Sequence, residues 1–483
     1  MNILFLLYGD LSSNTAYPLK LICSELESLG HNCIIATPEI EVKKNNTDIQ
    51  SHNVVTFEEI LNSNGKIFPN SAVADVVHGS TSRLVIFNFL RRYQSQNPVP
   101  LVFCVEDNER WLTKTYLDLE SDKILGLSNK EILSNTPKEL SNYVTYPIEL
   151  ALADLVICLQ DKLKQDIPEF IYSESIAWPA NIVLFTTQEP LPYSKKFFGI
   201  PEDSQVIVYH GGLNGFNRYA LIDLCRSIDL INQAGISCYL IRMGPNKFNF
   251  LSEMNLIYPE KIIDFGVVDR EDLPKILSLA TLFVQPGRIN EYEDLRLPSK
   301  VLDFLSMGKP VLMPNVNIAH QFVNGVDAVI LNSGEPREIA DSCITLFNDR
   351  KRIQMLGENA RRFALKNFSP QVQASKFEAA YKNAISIFDP EITKALWSNL
   401  DVSNLFAAIA IKIRALVNNK KVDMPLAISD LIYLIEVMNK RIKNLSDRVD
   451  DLILENSENT QSTSHSLIKL KSKIYTKVLN FFK

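Results

Sequence analysis

The stretch Glu291-Tyr-Glu-Asp-Leu-Arg-Leu-Pro-Ser-Lys-Val-Leu-Asp-Phe-Leu-Ser-Met-Gly-Lys-Pro-Val311 decides how the chain is read. It predicts an acidic loop, then a short amphipathic helix with Pro298 in its first turn, where a missing N–H is tolerated. Gly308 stops that helix, and a buried strand begins at Pro310. Carboxylates and a lysine gathered at a helix N-terminus mark a place that holds something polar and charged.

Outward from this stretch, apolar runs alternate with helical patterns on both sides. Before it come strand patterns at 205–210, 237–243, 262–268 and 281–285, with helices over 219–233 and 270–279. The first of these strands feeds a glycine-rich loop, Gly211-Gly212-Leu-Asn-Gly215-Phe-Asn-Arg218. After the stretch, strands at 311–313 and 328–331 lead to two amphipathic helices ending near residue 388. The first part of the chain repeats the alternation. Strands fall at 2–8, 33–36, 74–78, 100–105 and 175–181, with a helix-end-to-strand passage at 151–159, helices at 16–29 and 82–94, and a helical excursion at 110–145. Continuous apolar strands are buried on both faces, so the sheets are parallel and covered by helices. The fold class is therefore α/β: two Rossmann-like domains facing across a cleft, with a helical C-terminal extension. The expected divisions are 1–190, 191–388 and 389–483, with the linker in the proline-bearing segment 190–204.

Composition narrows the function classes. The 483 residues exceed what one core organises. A net charge of −6 argues against a nucleic-acid partner, which calls for a basic domain. The first loop lacks the Gly-x-Gly-x-x-Gly fingerprint, so a nicotinamide or flavin cofactor is not supported. No zinc-like Cys/His spacing and no Asp-x-Asp at a strand end is present, so no cofactor and no catalytic metal is expected. The seven cysteines are scattered, without a Cys-x-x-Cys pair, and read as reduced thiols of a cytoplasmic protein. The opening apolar run is too short for a secretory signal, and no apolar stretch reaches membrane-spanning length.

From residue 389 the strand patterns stop. Ile428, Leu431, Ile435, Met438, Ile442, Leu445, Val449 and Leu452 recur alternately three and four apart. β-branched residues at a with Leu or Met at d favour a parallel two-stranded coiled coil, making 427–454 a candidate homodimer seam. A helix packed on the parent domain gives similar spacing. Residues 467–483 form a basic amphipathic pattern without an acid. That pattern suits an anionic membrane surface, placing the protein peripherally on the inner face of the cell membrane; packing on the protein itself is the alternative.

Leu29-Gly-His31, Ala153-Asp-Leu-Val156, Asp264-Phe-Gly-Val-Val268 and Lys300 to Val311, in this order and spacing, resemble the retaining family-4 glycosyltransferases of GT-B fold. The resemblance covers about residues 1–388. It implies transfer of a sugar from a nucleotide-sugar donor to a glycan, lipid-linked or protein acceptor with retention, in cell-surface polysaccharide or glycoconjugate synthesis. It places the donor beside Val267, Lys300 and Asp303. Of the family's two spaced glutamates, the second, a ribose ligand, falls on Asp303. The first, a contact of the donor sugar, falls on Leu295, leaving Glu293 or Asp294 to substitute. The family's diphosphate arginine falls on Gly212, with Arg218 as the remaining cation and Lys300 or Arg296 as the second. The acceptor-side pair falls on Glu106-Asp107. These departures also open a rival reading, a catalytically reduced scaffold that binds a partner.

The chemistry can be stated residue by residue. A diphosphate leaving group needs fixed positive charge and aligned backbone N–H groups where its charge develops. Gly211 and Gly212 let the backbone approach closely, Arg218 and Lys300 supply charge, and the helices beginning near 219 and 298 present N-termini. The plain alternative is a turn followed by a surface arginine. Asp303 reads as a ribose ligand or as a solvated helix carboxylate; Glu293 and Asp294 read as sugar contacts or as ordinary loop acids. Asp107, at a strand end, orients or deprotonates an acceptor hydroxyl, or caps a helix.

Overall fold

The computed structural model describes residues 1–398 apart from 12, 14, 40–52, 188–191, 214–216 and 247–253, together with residue 412. The coiled-coil pattern at 427–454 and the basic pattern at 467–483 lie outside the described residues.

Seven strands form the first sheet: β1 Asn2–Leu6, β2 Asn32–Thr37, β3 Asn53–Thr56, β4 Val76–Gly79, β5 Leu101–Val105, β6 Leu155–Cys158 and β7 Tyr172–Ser175. All pairings are parallel, in the order β3-β2-β1-β4-β5-β6-β7. The order reverses between β1 and β4, which opens a crevice beyond the strand C-termini.

The second domain holds β8 Gln205–His210, β9 Cys238–Met243, β10 Ile262–Gly266, β11 Phe283–Val284, β12 Val311–Pro314 and β13 Val329–Leu331. These strands make two parallel triplets, β10-β9-β8 and β11-β12-β13. The triplets join where Thr281 N–H donates to the Val206 carbonyl at 2.8 Å and Ile207 bridges Leu282. The switch point of this half therefore lies between β8 and β11, directly under the glycine-rich loop and helix Ser299–Ser306.

The chain crosses between the halves twice. Ala177, Ala180 and Phe185 already pack in the second core. Helix Pro370–Ile387 returns to the first, burying Ala374, Phe377, Ala380, Tyr381 and Ala384 there. Helix Pro390–Trp397 follows it, with the Trp397 ring 5.9 Å from Phe87. Phe377 stacks on Trp178 at 5.7 Å, and Tyr381 OH lies 2.8 Å from His78 Nδ1 under β4. The crossings run side by side, tied by a 2.8 Å hydrogen bond from Ala180 N–H to the Phe368 carbonyl.

This arrangement differs from the divisions expected at 190 and 388. The first core takes residues up to Trp178, then Leu295 and the buried residues from Ala374 to Trp397, because an amphipathic face shows that a helix is buried, not which sheet it covers. Three helices rather than two lie between β13 and residue 388, at Pro336–Phe347, Arg350–Phe368 and Pro370–Ile387. Pro298 sits at the N-cap, one residue before the helix it was expected to begin. The last strand of the first sheet is Tyr172–Ser175 instead of 175–181, a segment that contains Pro179, which has no N–H for a ladder. The short β3 and helix Phe57–Asn62, whose capping box is Thr56 and Glu59, went unread in the sequence.

Phe377 is fully buried between the returning helix and the first sheet. Phe377→Ala is expected to lower unfolding stability by about 3–5 kcal/mol, read from urea denaturation.

Candidate active site

The floor of the site is set by one buried cation. Arg242, in β9, is 0% exposed. Its guanidinium donates to the carbonyls of Gly211 at 3.0 Å, Gly244 at 2.7 Å and Pro245 at 2.6 Å, and to Asp264 Oδ1 at 2.9 Å. The loops after β8 and β9 are thereby clamped to each other and to β10 by charge-assisted bonds that offset the desolvation of the arginine. Gly244, at φ +121°, passes so close that a Cβ there would lie 2.6 Å from the Gly211 carbonyl oxygen.

Against this floor the helix Ser299–Ser306 delivers two groups. Lys300 Nζ donates to Tyr209 OH at 2.8 Å, and a Cβ on Gly211 (φ +139°) would meet Nζ at 2.9 Å. Only glycine lets the ammonium rest against the backbone here. Asp303, three residues further along the same helix, is buried with Oδ2 3.4 Å from His210 Nε2. Burial pushes the Asp303 carboxyl up to about 7, against the pull of Arg270 and Lys300. Burial, helped by Lys300 and Arg270, pushes His210 down to about 3, so the imidazole is neutral and the two do not form an ion pair. Arg270 lies 3.3 Å from the Tyr17 ring and 5.3 Å from that of Phe185. Tyr17 belongs to helix Ala16–Ser28 of the first domain, so this cation–π contact spans the cleft.

Of the donor residues expected from the sequence, the structure brings Gly211, Lys300 and Asp303 together around Tyr209 and His210. The Gly212 carbonyl accepts from Asn217 Nδ2 at 2.7 Å. Arg218 opens helix Arg218–Gln233 with its guanidinium 5.1 Å from the Tyr219 ring. Val267 is 75% exposed just beyond β10.

The acidic loop has other partners. Residues Glu291–Asp294 form a short helix capped by Asn290, whose Oδ1 accepts from Glu293 N–H at 3.0 Å. Glu293 is buried and takes a bidentate bond from Arg296, with contacts of 2.9 and 2.7 Å. Asp294 meets Lys162 of the first domain at 2.5 Å and accepts from Asn317 N–H at 3.1 Å. Gln160 Nε2 donates to the Asp294 carbonyl at 2.9 Å, and Tyr292 stacks on Trp111 with ring centroids 4.3 Å apart. Leu295, at the position of the family's first glutamate, packs into the first domain's core. Both expected stand-ins thus hold structural partners. A cavity of about 520 Å³ beside them is lined by Asp161, Lys162, Gln165, Glu291, Asp294 and Leu295.

Across the cleft, the loop after β5 carries Glu106, Asp107, Asn108 and Glu109. The helix cap at this strand end is Asn108, not Asp107; its Oδ1 accepts from Trp111 N–H at 3.0 Å. Burial pushes Asp107 up, opposed by Arg83 and Arg296. Arg83 makes a bidentate pair with Glu109, at 2.7 Å for Nη2–Oε1, and stacks 3.7 Å over the Tyr8 ring. Sequence reading missed Arg83, Tyr209, Arg242 and Arg270. Arg242 in an apolar strand was the one visible signal, since a cation there demands partners. All seven cysteines are free and buried. Among the described residues no group of three or more His, Cys, Asp or Glu side chains is placed to hold a metal ion.

Comparison with known proteins follows the same outline. Residues 204–349 match the family described as glycosyl transferases group 1. The solved structure of HepE from Anabaena, in complex with UDP and glucose, is similar over 79% of this chain and 99% of that one, with TM-score 0.58 and 13% identity. A glycosyltransferase from Rickettsia africae gives TM-score 0.58 and 15% identity over 80% of this chain and 98% of that one. WaaG, a glycosyltransferase involved in lipopolysaccharide biosynthesis, gives 0.52 and 16% over 78% and 98%. No curated protein sequence matches. At these identities the likeness is one of fold, and the fold is that of the GT-B glycosyltransferases.

Two outcomes are expected. Arg242→Met strands three loop carbonyls and Asp264 and should destabilise the protein by about 3–5 kcal/mol in urea denaturation. Asp303 has a folded pKa raised above the unfolded value, so its contribution is present at low pH and lost as the pH rises through about 7. Wild type should therefore lose stability relative to Asp303→Asn between pH 5 and 7.5, measured as the difference in urea midpoints.

Proposed function

We propose that the chain is a glycosyltransferase that takes a sugar from a nucleotide-sugar donor and passes it to a glycan, lipid-linked or protein acceptor with retained anomeric configuration. The observation that carries this reading is the Lys300 ammonium held against the Gly211 backbone at the β8/β11 switch point, with Asp303 three residues along the same helix. It lies inside the segment that matches glycosyl transferases group 1. In this reading Lys300 and the N-terminus of helix Ser299–Ser306 neutralise the departing diphosphate. Asp303 accepts from the ribose hydroxyls, and Asp107 faces the acceptor from the opposite wall. Arg218 and Val267 border the donor. Neither a cofactor nor a metal takes part.

The reading extends to cell-surface polysaccharide or glycoconjugate synthesis on the inner face of the membrane, the basic tail touching anionic lipid and the heptads pairing two copies. UDP and glucose bound to HepE support a sugar nucleotide as the donor class. A second reading, a scaffold without turnover, is favoured by one observation: Leu295 is buried in the first domain while Glu293 and Asp294 are held by Arg296 and Lys162.

Hydrolysis and transfer assays across UDP-, GDP- and ADP-sugars separate the two. Lys300→Ala should lower turnover by roughly 10²–10³-fold, and Asp303→Ala should raise the donor KM about tenfold or more. A folded wild-type chain that binds and turns over none of these donors sinks the enzyme reading.

A further inference from the structure

The two ends of β6 meet different parts of the chain. Just beyond its C-terminal end, Gln160 bonds the Asp294 carbonyl of the second domain. At the other end, in the turn Ala153-Asp154 that leads into the strand, the partner is Lys412 of the C-terminal extension, 259 residues further along. Lys412 is 5% exposed, and its Nζ donates to the Ala153 carbonyl. Asp154 is the charged group that faces it. Asp154 Oδ2 accepts from Leu101 N–H at 2.9 Å, and Asp154 N–H donates to the Leu101 carbonyl at 2.8 Å, so the turn is locked to β5. Leu150, Ala151, Leu152 and Ala153 all belong to the first core. An ammonium therefore enters the margin of an apolar core, at the base of the sheet, on the side away from the cleft.

A lysine has a long flexible stem and reaches water from most surface positions, so its head stays inside only where the backbone that bears it is held over an acceptor. Burying an ammonium is costly, and here the Ala153 carbonyl and the Asp154 carboxylate offset that cost. The sequence around it fits a covering segment. From Leu405 to Val417, Lys412 and Arg414 are the only charged residues, and a run of that composition gains from leaving water. We propose that the turn at Ala153-Asp154 is the docking site of the chain's own C-terminal extension, and that Lys412 is the side chain that anchors it there. The heptad pattern at 427–454 and the basic pattern at 467–483 follow Lys412 in the chain, so whatever they bind is tethered to the base of the first domain. Anchoring at this turn is independent of sugar transfer. Burial, opposed by Asp154, lowers Lys412 to about 8 from the ordinary lysine value of 10.5. Docking thus releases a proton within that window and tightens as the pH rises through it; well below pH 8 the ammonium is charged in both states and docking is indifferent to pH.

Trace acetylation and hydrogen exchange of the full chain, both read by mass spectrometry, test this. In the folded protein Lys412 should acetylate about tenfold or more slowly than the exposed Lys394, although a lowered pKa by itself speeds acylation. Lys412→Glu sets a carboxylate against Asp154 and the Ala153 carbonyl. It should speed exchange about tenfold both in peptides covering 405–417 and in the turn at 150–154. Lys412→Met, which keeps an apolar stem without the charge, should stay within about threefold of wild type. Corrected for intrinsic exchange, wild-type protection of 405–417 should grow about tenfold between pH 7 and 9 and stay level in Lys412→Met. The acetylation ratio and the pH response are read on wild type, so they stand even where the Glu variant misfolds. Equal acetylation of Lys412 and Lys394, protection that falls as the pH rises, or a 150–154 turn that exchanges alike in wild type and Lys412→Glu overturns the anchor. Protection that rises with chain concentration assigns the site to a second copy and overturns docking within one chain.

Discussion

The second domain depends on one fully buried guanidinium. Arg242 holds the carbonyls of Gly211, Gly244 and Pro245 in one plane of donors and adds Asp264 from the neighbouring strand. Those carbonyls belong to loops that would otherwise be free to move independently. Once they are fixed, Gly211 can present its backbone to Lys300, and the N-terminus of helix Ser299–Ser306 points at a floor of known shape. A lysine in place of Arg242 would keep the charge but lose the fork that reaches several acceptors at once. The floor is thus preorganised by a residue that is itself fully buried.

The contact between the halves uses the loop in which the resemblance placed Glu293 or Asp294 as the sugar contact. Tyr292, Asp294 and Leu295 contact Trp111, Lys162 and the first domain's core in turn. Arg270 of the second domain reaches Tyr17 of the first as well. The loop therefore acts first as a seal between the halves. Its backbone is already anchored to both domains, which limits how far the loop can shift.

Much of the architecture was legible. The apolar runs at 2–8, 205–210 and 311–313 read directly as parallel strands, because burial on both faces leaves no polar alternation. Lys300, Gly211 and Asp303 were legible as a set, since a helix N-terminus, a glycine-rich loop and a carboxylate one turn away constrain one another in sequence. The partners of Glu293 and Asp294 were not legible. Arg296 and Lys162 lie at separations of 3 and 132 residues, and nothing local distinguishes a loop acid that binds sugar from one that binds lysine. Glu106 was read together with Asp107 because strand-end acids look alike in a sequence; only burial and the Thr15 contact separate them. The docking of helix Pro370–Ile387 was hidden for a similar reason, its alanine-rich stripe being compatible with either sheet.

That returning helix has a consequence for the order in which the molecule is made. The first core is complete only with Phe377, Tyr381, Leu396 and Trp397 in place. These residues leave the ribosome after every strand of the second domain, although the strands they cover were synthesised first. A nascent chain of this protein therefore holds an uncovered sheet face, including Trp178 and the ring of His78, throughout translation of residues 205–369. The second domain, continuous in sequence, has no such wait and can close on itself first. The usual N-to-C order of domain completion is inverted, and the earliest part of the chain is the last to finish folding.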